Sequence, residues 1–186
     1  MTKRALMGLI LPAIIGASAA FAQQPTMNKL MFSSATTAKG PVAFVKPANK
    51  QISGAMVIPG NYNGVPTIPT GFHDNTQITS VTILEGADSI DTNAFYRCGG
   101  LTSITIPASV NPIGHRAFIE CKNLTSVTFQ GANTTIGPQK FDGDLDSKYK
   151  AGGAGTYTRS AGNNTWTKQG GVELCPTCGQ PLPKKR

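Results

Sequence analysis

Apolar residues recur through the middle of the chain at a fixed interval. Ile78, Leu101 and Leu124 are each 23 residues apart, and so are Val81, Ile104 and Val127. The same shift relates Ile83, Ile106 and Phe129; Ile90, Ile113 and Ile136; and Phe95, Phe118 and Phe141. Blocks 78–100, 101–123 and 124–146 therefore align without gaps, the signature of a repeat architecture. Within each block the segment ITSVTI, LTSITI or LTSVTF alternates apolar with hydroxyl side chains. Alternation with β-branched residues predicts a short strand. Its apolar positions point into a core, and Ser80, Thr82, Ser103, Thr105, Ser126 and Thr128 point outward. No block can bury its apolar face alone, so stacking must do it, with neighbouring strands about 4.8 Å apart. The predicted fold is a mainly β solenoid of short parallel strands.

The flanks are read against this period. Phe72 lies 23 residues before Phe95, but Ile58 to Phe72 is two residues longer than Ile106 to Phe118 (14 against 12). Residues 51–77 are thus an atypical first repeat, as expected of a terminal unit that covers an exposed edge. After Phe141 the period breaks. Leu145 and Tyr149 suit one face of a short helix stopped by Gly152-Gly153, with Asp142, Asp144 and Asp146 as its caps. Thr156-Tyr157-Thr158 and Thr165-Trp166-Thr167 flank a Gly/Asn turn and predict a hairpin. Helix and hairpin together make a C-terminal cap, with Trp166 as a cap residue. The organisation is a signal segment over 1–22, a lead-in over 23–50, the solenoid over 51–141, the cap over 142–169 and a basic tail over 170–186. The lead-in has few large apolar residues before Val42, Phe44 and Val45, and its first part reads as flexible.

The signal reading rests on Lys3 and Arg4, a short apolar run interrupted by Pro12, and the small-x-small site Ala20-Phe21-Ala22. The run is short for a membrane span, and none follows it. Cleavage would leave a secreted, cell-surface or periplasmic protein. The formal charge of +8 would fall to 8 − 2 = +6. The cations are scattered, without a basic helix or aromatic interleaving, which argues against nucleic acid as a partner.

The motif L-T-S-(I/V)-T-(I/F), followed by an Ile and then F-x-x-C, resembles the BspA-type, or Treponema pallidum-type, leucine-rich repeat of bacterial surface proteins. The resemblance covers about residues 51–141, and the stretch from Phe141 to Thr167 looks like the ending of spirochaete members. It implies a leucine-rich-type solenoid and a secreted or surface protein. It further implies adhesion, co-aggregation or binding of host matrix proteins, while the hydroxyl-bearing strand face itself suits a protein or glycan ligand. The outward hydroxyls Ser80, Thr82, Ser103, Thr105, Ser126 and Thr128 are the candidate contact face. The rival reading is a structural or assembly component joined through the repeat edge or the tail, and the oligomeric state stays open.

Chemistry is sparse. Cys98 and Cys121 occupy one repeat column, where packing favours small buried free thiols over a disulfide. The third repeat has Asp144 at that position. Cys175-Pro176-Thr177-Cys178 resembles one knuckle of a zinc ribbon, but a second pair of ligands is missing. A local disulfide, a half-site closed by a second chain and a flexible tail remain open for it. His73 and His115 have no partner nucleophile, and Asp142, Asp144 and Asp146 lack the glycine and glutamate of a calcium loop. No catalytic residue, metal or cofactor is expected.

Overall fold

The structure, a computed structural model, describes residues 29–170. The signal reading over 1–22 and the Cys175/Cys178 motif lie outside the described residues. The elements are β1 (Leu30–Thr37), β2 (Gly40–Pro47), β3 (Gly54–Ile58), β4 (Asn61–Tyr62), β5 (Val65–Pro69), β6 (Ile78–Ile83), β7 (Ser103–Ile106), β8 (Ser126–Phe129), α1 (Leu145–Gly152), β9 (Gly155–Thr158) and β10 (Thr167–Lys168).

The predicted repeat is a mainly β solenoid. Strands β3, β6, β7 and β8 stack in parallel, and β9 and β10 continue the sheet antiparallel, giving the order β10-β9-β8-β7-β6-β3. The register pairs Val81 with Ile104 and Ile104 with Val127, the shift of 23 found in the sequence. The opposite wall is held by single bridges, Ile90 with Ile113 and Phe118 with Phe141. Between the walls runs one continuous core. Phe72, Phe95, Phe118 and Phe141 stack down it with centroids 4.9, 5.2 and 4.7 Å apart and rings within 15° of parallel. Each buried phenyl contributes roughly 1.5–3 kcal/mol, with about 0.5–1.5 more from each aromatic pair.

The neighbouring column, Asn75, Cys98, Cys121 and Asp144, ties rung to rung. The Cys98 thiol donates to the Phe72 carbonyl (3.1 Å) and the Cys121 thiol to the Phe95 carbonyl (3.0 Å). Asn75 does the same at the first rung, donating to Lys50 and Ile52 carbonyls. Both cysteines are free and fully buried, as packing favoured. Burial pushes the Cys98 thiol up to about 12 and raises Cys121 as well, so neither forms a ready thiolate.

The two ends are closed differently. At the start, the extra two residues of the first repeat go into the β4–β5 hairpin, whose β5 pairs in parallel with β2. This corrects the reading of 23–50 as a lead-in with a flexible start: from Leu30 the chain is the β1–β2 hairpin. Leu30, Val42, Ala43 and Val45 are buried, while Met31, Ser33, Thr36 and Lys46 are exposed. A hairpin half-wet in this way shows few large apolar residues, which is why it looks like linker. Its turn residue Lys39 reaches Asp88 (3.3 Å) and the Asn111 carbonyl (3.1 Å), two rungs of the back wall.

At the far end, side chains replace the missing rung. Arg159, in the residue after β9, is buried and donates to the carbonyls of Leu124, Cys121 and Asn163. Its guanidinium lies 4.7 Å from the centre of the buried Trp166 ring. The Tyr149 hydroxyl donates to the Gly131 carbonyl and accepts from the Thr134 amide. Helix α1 and the β9–β10 pair are the predicted cap. Asp144 sits at the helix N-cap and Asp146 in the first turn, but Asp144 makes no side-chain cap hydrogen bond: its carboxylate accepts from the Trp166 amide (2.7 Å) and lies 3.8 Å from Lys148 of α1. Asp142 accepts from the Glu120 amide and sits 3.9 Å from Arg159. Asp142 thus ties the cap to the preceding rung, and Asp144 ties the parts of the cap to one another.

Candidate functional site

The outer face of the six-stranded sheet carries the hydroxyls singled out in the sequence. Ser80, Ser103 and Ser126 form one column and Thr82, Thr105 and Thr128 the next, all half-buried. The inward neighbours Val81, Ile104 and Val127 are buried, which fixes the alternation. The columns run further than the repeat itself. Thr158 pairs with Ser126 and Thr156 with Thr128, and Thr167 follows Thr158. Thr128 and Thr156 share a hydroxyl hydrogen bond of 2.9 Å. Thr-Tyr-Thr at 156–158 repeats the hydroxyl–apolar–hydroxyl pattern of Ser-Val-Thr at 126–128, and that similarity was the available signal. At the other end the columns finish on Ala55 and Val57, which bear no hydroxyl. No side chain in these columns from β3 to β9 is charged. The adjacent Thr102 and Thr125 hydroxyls are occupied differently: they donate to the carbonyls of Thr79 and Thr102 on the preceding rungs and serve the stack.

A second exposed surface lies along the turns beneath the phenylalanine column. Two positions per rung hold a left-handed backbone without glycine: Asp74, Arg97 and Glu120 (φ 61°, 58°, 61°), and Asn93, Arg116 and Gln139 (φ 56°, 55°, 61°). The fourth member of the first series is Gly143. Tyr96 donates to Glu120 (2.7 Å), and Arg97 donates to the same carboxylate (3.0 Å). The guanidiniums of Arg97 and Arg116 lie 5.3 and 5.9 Å from the Tyr96 ring centre. The Tyr96 hydrogen bond, then the Arg97 one, hold the Glu120 carboxyl below its usual range. His73 bonds Asp74 (2.9 Å) and lowers that carboxyl too, while His115 bonds Gln139 (2.7 Å). Both histidines are exposed and without a nucleophile at hand.

Trp166 is only 1% exposed and belongs to the cap. A cavity of about 390 Å³ adjoins the turn edge, lined by Glu120, Lys122, Asp142, Arg159, Gly162 and Asn164. Among the described residues no cluster of three or more His, Cys, Asp or Glu could hold a metal ion. No helix among them is long and apolar enough to cross a membrane.

No curated protein matches the chain. Among solved structures, the Treponema pallidum leucine-rich repeat protein is 21% identical over 61% of this chain and 52% of its own, with a TM-score of 0.44. A leucine-rich cell surface protein of Faecalibacterium prausnitzii is 26% identical over 53% of this chain and 30% of its own, with a TM-score of 0.41. The chain thus matches about half of the first and less than a third of the second. Scaffolds of this repeat type are typically non-enzymatic binding surfaces. The model of the BspA-type leucine-rich repeat region matches residues 56–148 in six copies, half of the chain, and the protein therefore belongs to the BspA-type leucine-rich repeat family.

Proposed function

We propose that the protein is an exported binding protein whose outer strand face contacts a protein or glycan, host extracellular matrix among the targets, and that it has no catalytic role. One observation carries this reading: two uncharged hydroxyl columns run in register across β6 to β9 on the exposed side of one sheet. Such a face offers donors, acceptors and methyl groups at a regular spacing. Each contact is weak, so affinity comes from their number or from multivalent display. The signal-like segment at 1–22 supports export. Family membership supports a binding role of the adhesion type.

The test applies the purified protein to an array of matrix proteins and glycans. Binding is expected to vanish when Thr82, Thr105 and Thr128 are changed to Glu, because three carboxylates would then need desolvation at the contact. Unaltered binding would remove the strand face from the account.

A further inference from the structure

Aligned repeats separate two kinds of exposed position. Residues identical in every rung serve the stack or a ligand that itself repeats. Residues that differ from rung to rung give one place on the surface its own chemistry. Along the turn edge no column repeats. His73, Tyr96, Ile119 and Asp142 succeed one another, as do Asp74, Arg97, Glu120 and Gly143, and Asn93, Arg116 and Gln139. The middle of this edge carries a Tyr–Arg cluster, the residue types enriched at the centres of protein interfaces.

We infer that the edge around Tyr96 and Arg116 is a docking surface for an acidic segment of a partner protein. The charges decide the sign. Arg97 is neutralised by Glu120, while Asp74, hydrogen-bonded to His73, keeps one negative charge on the first rung of this edge. Arg116 is exposed and makes no ion pair among the described residues, and neither does the exposed Lys122 beside Glu120. Unpaired cations therefore remain on this edge after the internal pairs are counted. The Tyr96 ring supports the Arg116 guanidinium, so less side-chain freedom is lost when its planar fork takes a carboxylate. Tyr96 already carries two guanidiniums over its ring and is poorly placed to stack on a sugar, which favours a peptide carboxylate over a glycan. The adjoining cavity has Lys122 in its wall beside two carboxylates already engaged by cations, Glu120 by Arg97 and Asp142 by Arg159, so an acidic side chain that enters it meets Lys122 as the unpaired charge. This surface is distinct from the strand face and does not rest on that reading.

The probe is a synthetic peptide of alternating Glu and Gly, titrated into the whole purified protein at low and moderate salt. Arg116→Gln is a safe variant, because Gln139 holds the same left-handed position one rung on. The wild type is expected to bind in a salt-dependent manner, and Arg116→Gln to weaken binding on the order of tenfold, the loss of one charge-assisted contact. Glu120→Gln releases Arg97 and should tighten binding severalfold. Circular dichroism checks that both variants stay folded. The inference is overturned if the wild type does not bind the peptide, if Arg116→Gln binds as tightly as wild type, or if Glu120→Gln fails to tighten binding. It is also overturned if heparin binds with the Arg116 dependence while the peptide does not.

Discussion

On the strand face the same two hydroxyl positions return from β6 to β8 and persist into β9, whereas along the turn edge no two rungs carry the same side chain. Both surfaces rest on one core, so the contrast concerns what each position must do. Strand residues sit in a ladder where a β-branched hydroxyl suits the pleat, and nothing forces them apart in kind. Turn residues sit at left-handed angles that cost most non-glycine residues about 1–2 kcal/mol, and Asn or Asp less. Six of them bear that cost with side chains such as Arg97, Arg116 and Glu120 where glycine would fit more easily. Backbone strain kept with chemically distinctive side chains points to a use for those side chains.

The comparison can be broken most forcefully from beneath. Phe118→Ala removes the centre of the stacked column under the turn edge. It should cost about 3–5 kcal/mol in denaturant unfolding, whereas Thr105→Ala on the strand face should stay within about 0.5 kcal/mol. Equal effects would mean that the core is not continuous beneath the turns. The next largest effect belongs to the cap. Arg159→Met keeps the bulk but leaves the carbonyls of Leu124 and Asn163 without the guanidinium and that of Cys121 with the Leu124 amide alone, and should cost about 3 kcal/mol. Amide exchange should then rise first in β8 and β9, nearest the opened end; a change confined to β3 would contradict the capping role.

The smallest effect is pH-dependent. Asp146 is held up at about 6 by burial, against the weaker pull of Lys150 and Lys140, and its Oδ1 has no hydrogen-bond partner. Its folded value lies above its ordinary one, so the folded state keeps a proton that the unfolded chain loses. The stability this group contributes is full below about pH 4 and is lost as pH rises through about 6. Asp146→Asn should therefore raise the melting temperature at pH 7 and leave it nearly unchanged at pH 4. The reverse order would show that the carboxylate is stabilised as an anion at the start of α1.

What the sequence disclosed follows from repetition. The apolar columns recur at least three times, so Val81, Ile104 and Val127 identify one another, and the outward hydroxyls fall between them. Features that occur once gave little. Arg159 is a single cation in Thr-Arg-Ser, and nothing local marks it as the surrogate for a rung. The β1–β2 hairpin buries only part of its side chains, so its pattern is too thin to separate from a linker. The left-handed turns were hidden because Asp, Arg, Glu, Asn and Gln occupy places where glycine would have announced them. Of the two proposed contact surfaces, the strand face was legible and the Tyr96–Arg116 edge was not, since only the fold brings residues 20 apart over one ring (116 − 96 = 20).

The most direct measurement compares three proteins on one panel of matrix proteins and glycans: the wild type, the triple Glu variant at Thr82, Thr105 and Thr128, and Arg116→Gln. The account predicts that the triple variant loses the targets the wild type captures while Arg116→Gln keeps them. Retention by the triple variant, with loss in Arg116→Gln, would place the working surface on the turn edge and contradict the strand-face claim.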